Sequence, residues 1–455
     1  MHRTNIRIEH QCENAKTGTW NISSATSLPF GVVPFIKGRE DIEAILKHQL
    51  SLPDMQPIEI SGYGVNNILR RAVSIEAELE QAGIEDSGYS QMTKLHPCLV
   101  SFPADLIWLA REEEVRRLVS GLSEELVVSD FRLTSIDAKQ VAWEIGKRLS
   151  GSARDYMFWR KLLEKDPVTN QTFSRLLIEY AISVANRSRA TSMAGIVPSV
   201  DQKIPGSADL MHHYNIAYAA ALGDRLDQGM RTPHYQYSIA LNSSVIEADT
   251  WSPVLETVTR LARAALVADI FDGIHLTIRG MDRISLSSGR VNVVLLLINR
   301  LATITSEHHL PLWWSRPSLA GLAGLDEGCA FTSYRLNLDP GDVYAGGGGR
   351  VPIERQYGKV LNPVMRQIWN KNQVEAALNG PDRGMPDIGY SVQSPSPFAL
   401  SSAKKYRIDF SKPYNTDAFN YLASDWKLSV RNGETRPGSQ YLQSFEAPHN
   451  QWGRL

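Results

Sequence analysis

Short apolar runs alternate with longer amphipathic stretches along most of this chain. Phe30–Ile36, Pro57–Ile60, Pro97–Phe102, Leu126–Phe131 and Thr191–Val197 read as strands before residue 200. Tyr235–Leu241, Gly273–Arg279, Leu310–Arg316 and Cys329–Arg335 read as strands after it. Helical periodicity fills the intervals, at Glu40–Leu50, Val65–Ala82, Leu106–Gly121, Ala208–Leu226, Ser252–Ala268, Val291–Glu307 and Ser318–Leu325. Strands separated by helices of this length imply βαβ crossovers and parallel pairing.

The pattern predicts an α/β fold, a (β/α)8 TIM-barrel-like body spanning 1–337. Nine strands are one more than the barrel needs, so one belongs outside it or is not a strand. From 135 to 187 the pattern is helical throughout, with Trp143, Tyr156, Trp159 and Phe173 along it, which predicts a helical insertion. After Asn337 the composition turns to Gly, Pro and Ser, and 338–455 reads as an irregular C-terminal extension, a lid or a partner-binding segment. An open doubly wound sheet is the alternative, but no Gly-x-Gly-x-x-Gly follows the first strand.

Charge narrows the partners. Lys and Arg number 48 against 49 acidic residues, so no global field draws the chain to nucleic acid or a membrane surface. Anion binding must come from a local cluster. The cysteines Cys12, Cys98 and Cys329 are odd in number and widely spaced, which predicts a reducing, cytoplasmic setting and no thiolate zinc site. The apolar run Val291–Ile298 is too short to span a bilayer. His-x-His, His-Glu-x-x-His, the P-loop ending and the Gly-x-Ser-x-Gly elbow are all absent, so no metal and no cofactor are expected.

Three strands end on arginine: Arg279, Arg316 and Arg335. In α/β barrels chemistry gathers at the carboxyl ends of strands, and a guanidinium there grips carboxylate or phosphate bidentately. Alternation in Ile274–Arg279 puts His275, Thr277 and Arg279 on one face, opposite Ile274, Leu276 and Ile278. Trp314 and Asn337 accompany the second and third arginines. Gly347, within the Gly346–Gly349 run, and Arg350 form a loop whose backbone N–H groups can approach a phosphate. The acid–base candidates are Asp282, just after Arg279, and Asp130, at the end of the fourth run. Each of these aspartates serves equally as a helix cap or an ion-pair partner.

A further basic stretch (Arg350, Arg355, Lys359, Arg366 and Lys371, with Tyr357 and Trp369 between) has the composition of a nucleic-acid surface or of a solvated helix face. These features together predict a metal-independent hydrolase or transferase. Its substrate is anionic: phosphorylated, nucleotide-like or nucleic acid. The alternative is a non-catalytic barrel that docks into a larger assembly, with a protein partner engaged through 338–455.

Overall fold

The computed structural model describes residues 31–37, 41–42, 58–62, 65, 98–102, 178, 181–186, 188–202, 205–248, 251–279, 290–317, 320–335, 360–362, 367–369 and 411–440. Eight strands close into a barrel: β1 (Gly31–Ile36), β2 (Ile58–Ser61), β3 (Cys98–Ser101), β4 (Ser192–Ala194), β5 (His234–Asn242), β6 (Ile274–Arg279), β7 (Leu312–Ser315) and β8 (Phe331–Arg335). Every pairing is parallel, and β8 returns to β1 through the register Gly31↔Phe331 to Phe35↔Arg335. The (β/α)8 expectation therefore holds.

The surplus ninth strand is resolved by one pairing. β3 pairs directly with β4, Leu99 opposite Ser192, so the barrel closes without Leu126–Phe131. That segment, like 135–177 of the expected insertion, lies outside the described residues.

Helices cover the barrel for the reason their sequences give. In α1 (Ser207–Asp227) the buried positions include Leu210, Met211, Tyr214, Tyr218 and Leu222, one stripe of a 3.6-residue period. After the short α2 (Ser243–Glu247), α3 (Trp251–Val267) buries Leu255, Val258, Leu261, Ala262, Ala265 and Leu266. α4 (Arg290–Glu307) buries Val291, Val294, Leu297, Ile298 and Leu301 in the same way. The seven residues of α5 (Ala320–Asp326) are all buried. Together with the outward faces of the strands these stripes make one continuous outer core.

The segment after residue 337 contributes to that body. α6 (Ser411–Arg431) follows β8 and the hairpin of β9 (Val360–Asn362) and β10 (Gln367–Trp369). Phe419 stacks on Tyr334 of β8 with ring centroids 4.0 Å apart, and Asn415 accepts the Leu361 N–H at 2.8 Å. α6 thus stands where the last crossover helix of a barrel stands, beside β8 and β1.

Candidate functional site

The barrel interior is built in layers. Val33, Leu99, Ala194, Trp313, Ala330 and Phe331 form an apolar cluster separate from the outer core, with Trp313 stacked on Phe331 at 4.2 Å. They occupy the amino-terminal part of the lumen. Side chains on a strand repeat their face every second residue. One such step along the chain, Leu99 gives way to Ser101, Trp313 to Ser315 and Phe331 to Ser333. The apolar plug is therefore capped by a polar layer, and Glu59 and His275 complete it.

Glu59 is fully buried, flanked in β2 by Ile58 and Ile60, which face outward. Its Oε1 accepts hydrogen bonds from the Ser101 hydroxyl and from the Ser315 hydroxyl at 2.7 Å. His275 Nε2 lies 3.2 Å from the same oxygen. These donors come from β3, β7 and β6, so the carboxylate reaches across the lumen and ties both walls to it. Burial pushes its pKa up, but the His275 hydrogen bond and charge, the Arg316 guanidinium and the Ser101 hydroxyl more than offset this. The carboxyl is held at about 2 against an ordinary 4.5. The second oxygen, Oε2, has no hydrogen-bond partner among the described residues.

A carboxylate oxygen can only accept, so the contact with Glu59 places a hydrogen on Nε2 of His275. His275 also lines a small recess with Thr277, Ser238, Ile239, Ala240, Phe102, Gly195, Ile196 and Val197. The recess lies beyond the polar layer toward the carboxyl ends of β3 to β6, and its room is about that of one water molecule. Thr277 is 5% exposed, and its hydroxyl has no partner among the described residues.

The strand-terminal arginines take different places. Arg335 ends β8 and is buried. Arg279 ends β6 opposite Asn242, with its side chain outside the described residues. Arg316 follows β7 and shares the parity of Trp314, so simple alternation would turn both toward the helices. Trp314 does face them, packed so closely on α5 that a Cβ on Gly324 would lie 2.5 Å from its ring. Arg316 does not, because its φ of 59° re-aims the chain. Its guanidinium sits 5.1 Å over the Phe35 ring, its Nε donates to the Ser315 hydroxyl at 3.1 Å, and its N–H donates to the Ser333 hydroxyl at 2.9 Å.

The structure thus brings His275 and Arg316 together around Glu59, with Arg335 at the same end of the barrel. It places Trp314 on the far side of the strand from that cluster. Asp130, Asp282, Asn337, Gly347 and Arg350 lie outside the described residues. Glu59 is not among the residues the sequence points to; the signal it offers is a single acidic residue between two isoleucines on a four-residue strand. Among the described residues no group of three or more His, Cys, Asp or Glu could hold a metal ion, and no helix is long and apolar enough to cross a membrane.

No protein-family model matches the chain, and no curated protein matches it. Among solved structures it is similar to the crystal structure of a probable tagatose 6 phosphate kinase from Sinorhizobium meliloti 1021. The TM-score is 0.31 and the identity 11%, over 91% of this chain and 99% of that one. A likeness so distant carries no argument about function; the barrel assignment rests on the strand order itself.

Proposed function

We propose that this barrel is an enzyme of the hydrolase or transferase kind, acting on an anionic, phosphorylated small molecule. Its proton-transfer pair is His275 and Glu59. The observation that carries the reading is a fully buried carboxylate in the middle of a barrel lumen, with the Ser101 and Ser315 hydroxyls and His275 Nε2 all converging on one of its oxygens. Stability does not ask for one, since a buried ion pair is commonly matched or bettered by apolar residues of the same volume. A buried carboxylate that fixes the tautomer of a histidine lining a recess is what general acid–base chemistry does ask for. The buried Arg316, with Arg335 and Arg279 at neighbouring strand ends, supplies the positive charge that draws the anion to this end of the barrel.

The competing reading is a barrel that binds an anion without transforming it, and the narrowness of the recess is what favours that reading. One experiment addresses both. The full chain is screened by thermal shift against inorganic phosphate, phosphosugars and nucleotides, and any ligand that shifts it is tested for turnover. Arg316→Ala and Arg279→Ala are expected to lose the shift, and His275→Gln to keep it while losing turnover. An unchanged shift in both arginine variants would remove the anion site. Binding with no turnover would leave the non-catalytic reading standing.

A further inference from the structure

We infer that Thr277 selects the substrate, and that what it selects is a neutral hydroxyl-bearing end, as in a short phosphorylated polyol. The inference rests on the recess being the substrate site. The composition of the recess is imbalanced. The recess wall is apolar at Phe102, Ile196, Val197, Ile239 and Ala240, yet it carries a 5% exposed threonine hydroxyl that bonds to no described residue. An unmet buried hydroxyl is costly, and valine has the same shape without that cost. Ser238, opposite His275 in the β5–β6 register, is not left in this state, since its hydroxyl donates to the Gln236 carbonyl at 3.3 Å.

Position decides which part of a ligand meets Thr277. It stands two residues beyond His275 on the same face of β6, so a group bound to its hydroxyl lies between the imidazole and the mouth. An anion in that place would shed its hydration among the apolar walls of the recess. A hydroxyl fits, because it exchanges hydrogen bonds with Thr277 and brings a proton to His275. The anionic end then falls at the rim. Thr277 pairs in register with Ser315, whose successor is Arg316, so the two backbone positions stand about one strand spacing and one residue apart. A probe of about three carbons is the size that this backbone separation suggests.

The test compares glycerol 3-phosphate with propyl phosphate, which has the same anion and carbon count but no hydroxyls, by calorimetry on the full chain. The unsubstituted protein is expected to prefer glycerol 3-phosphate by about 10-fold, the loss that one unmade hydrogen bond predicts. Thr277→Val should abolish the preference, leave propyl phosphate affinity unchanged and hold or raise thermal stability. Thr277→Ser should keep the preference. Equal binding of the two esters, or a preference that survives Thr277→Val, overturns the assignment of Thr277 alone. Failure of both esters to bind overturns the anion-site reading and this inference with it.

Discussion

Ser315 donates its hydroxyl to Glu59 at 2.7 Å, although 256 positions of sequence separate them. The same oxygen accepts from Arg316 Nε at 3.1 Å. One serine therefore couples the central carboxylate to the strand-end guanidinium, and the positive φ of Arg316 is what brings that guanidinium back within reach. The pair costs a backbone strain of about 1 kcal/mol, the order expected for a non-glycine residue in the left-handed region.

Removing that hydroxyl strips a donor from Glu59 and an acceptor from Arg316 together. Ser315→Ala is expected to lower unfolding stability by about 2 kcal/mol, because both partners stay buried. Ser315→Thr keeps the hydroxyl and should lose less. Urea titration of the three proteins checks this, and equal midpoints for the alanine and threonine variants would show that the bridge contributes nothing.

The depressed carboxyl has a signed consequence for acid stability. Glu59 titrates at about 2 in the fold against an ordinary 4.5. A lowered folded pKa contributes stability that is fully present above the ordinary value and is lost as pH falls through the folded one. The contribution is on the order of 3 kcal/mol. Glu59→Gln cannot titrate, so the stability gap between the two proteins should narrow steadily from pH 5 toward pH 2. Parallel urea midpoints across pH 6, 4 and 3 would mean that the carboxyl is not held down.

Much of the barrel was legible because each strand is short, apolar and bounded by helical periodicity, and the inward face of His275 was legible because Ile274–Arg279 alternates cleanly. Three things were not. Glu59 sits in a strand of four residues, too short for its alternation to mark an inward face, and a lone acidic residue reads as exposed. The direction of Arg316 depends on one backbone angle that no pattern of polarity encodes. The helix Ser411–Arg431 packs on the barrel through long-range contacts such as Phe419 on Tyr334, which the composition after Asn337, read as an irregular extension serving as a lid or partner-binding segment, does not encode.

Close packing at the recess gives a prediction independent of charge. Gly195 lines the recess, and a Cβ there would lie 2.6 Å from the Tyr218 ring and 2.7 Å from the Tyr235 hydroxyl. Tyr218 donates no slack, since its hydroxyl accepts the Ile196 N–H at 3.0 Å and both rings are fully buried and stacked. Gly195→Ala should therefore cost about 1–3 kcal/mol by overpacking and move Ile196 within the recess wall. Thermal denaturation and ligand affinity should fall together, and a variant with wild-type stability would show that the tyrosine pair yields.

Asp326 ties α5 to α6 and to the residues that follow it. Asp326, the last residue of α5, accepts the Trp426 indole N–H at 2.9 Å and the backbone N–H groups of Gly438 and Ser439 at 3.1 and 2.7 Å. Its neighbour Glu327 pairs with Arg436 and accepts from Asn299 at 3.1 Å. Asp326→Ala leaves an indole and a backbone N–H buried without their acceptor, at a cost of about 3 kcal/mol. Because the lost bonds all tie α5 to residues 426–439, the damage should be local before it is global. Limited proteolysis should then cut the variant first between α6 and Ser439, while the barrel strands keep their amide-exchange protection. Cleavage at unchanged sites and rate would show that the stacked Phe419 and Tyr334 hold α6 without Asp326.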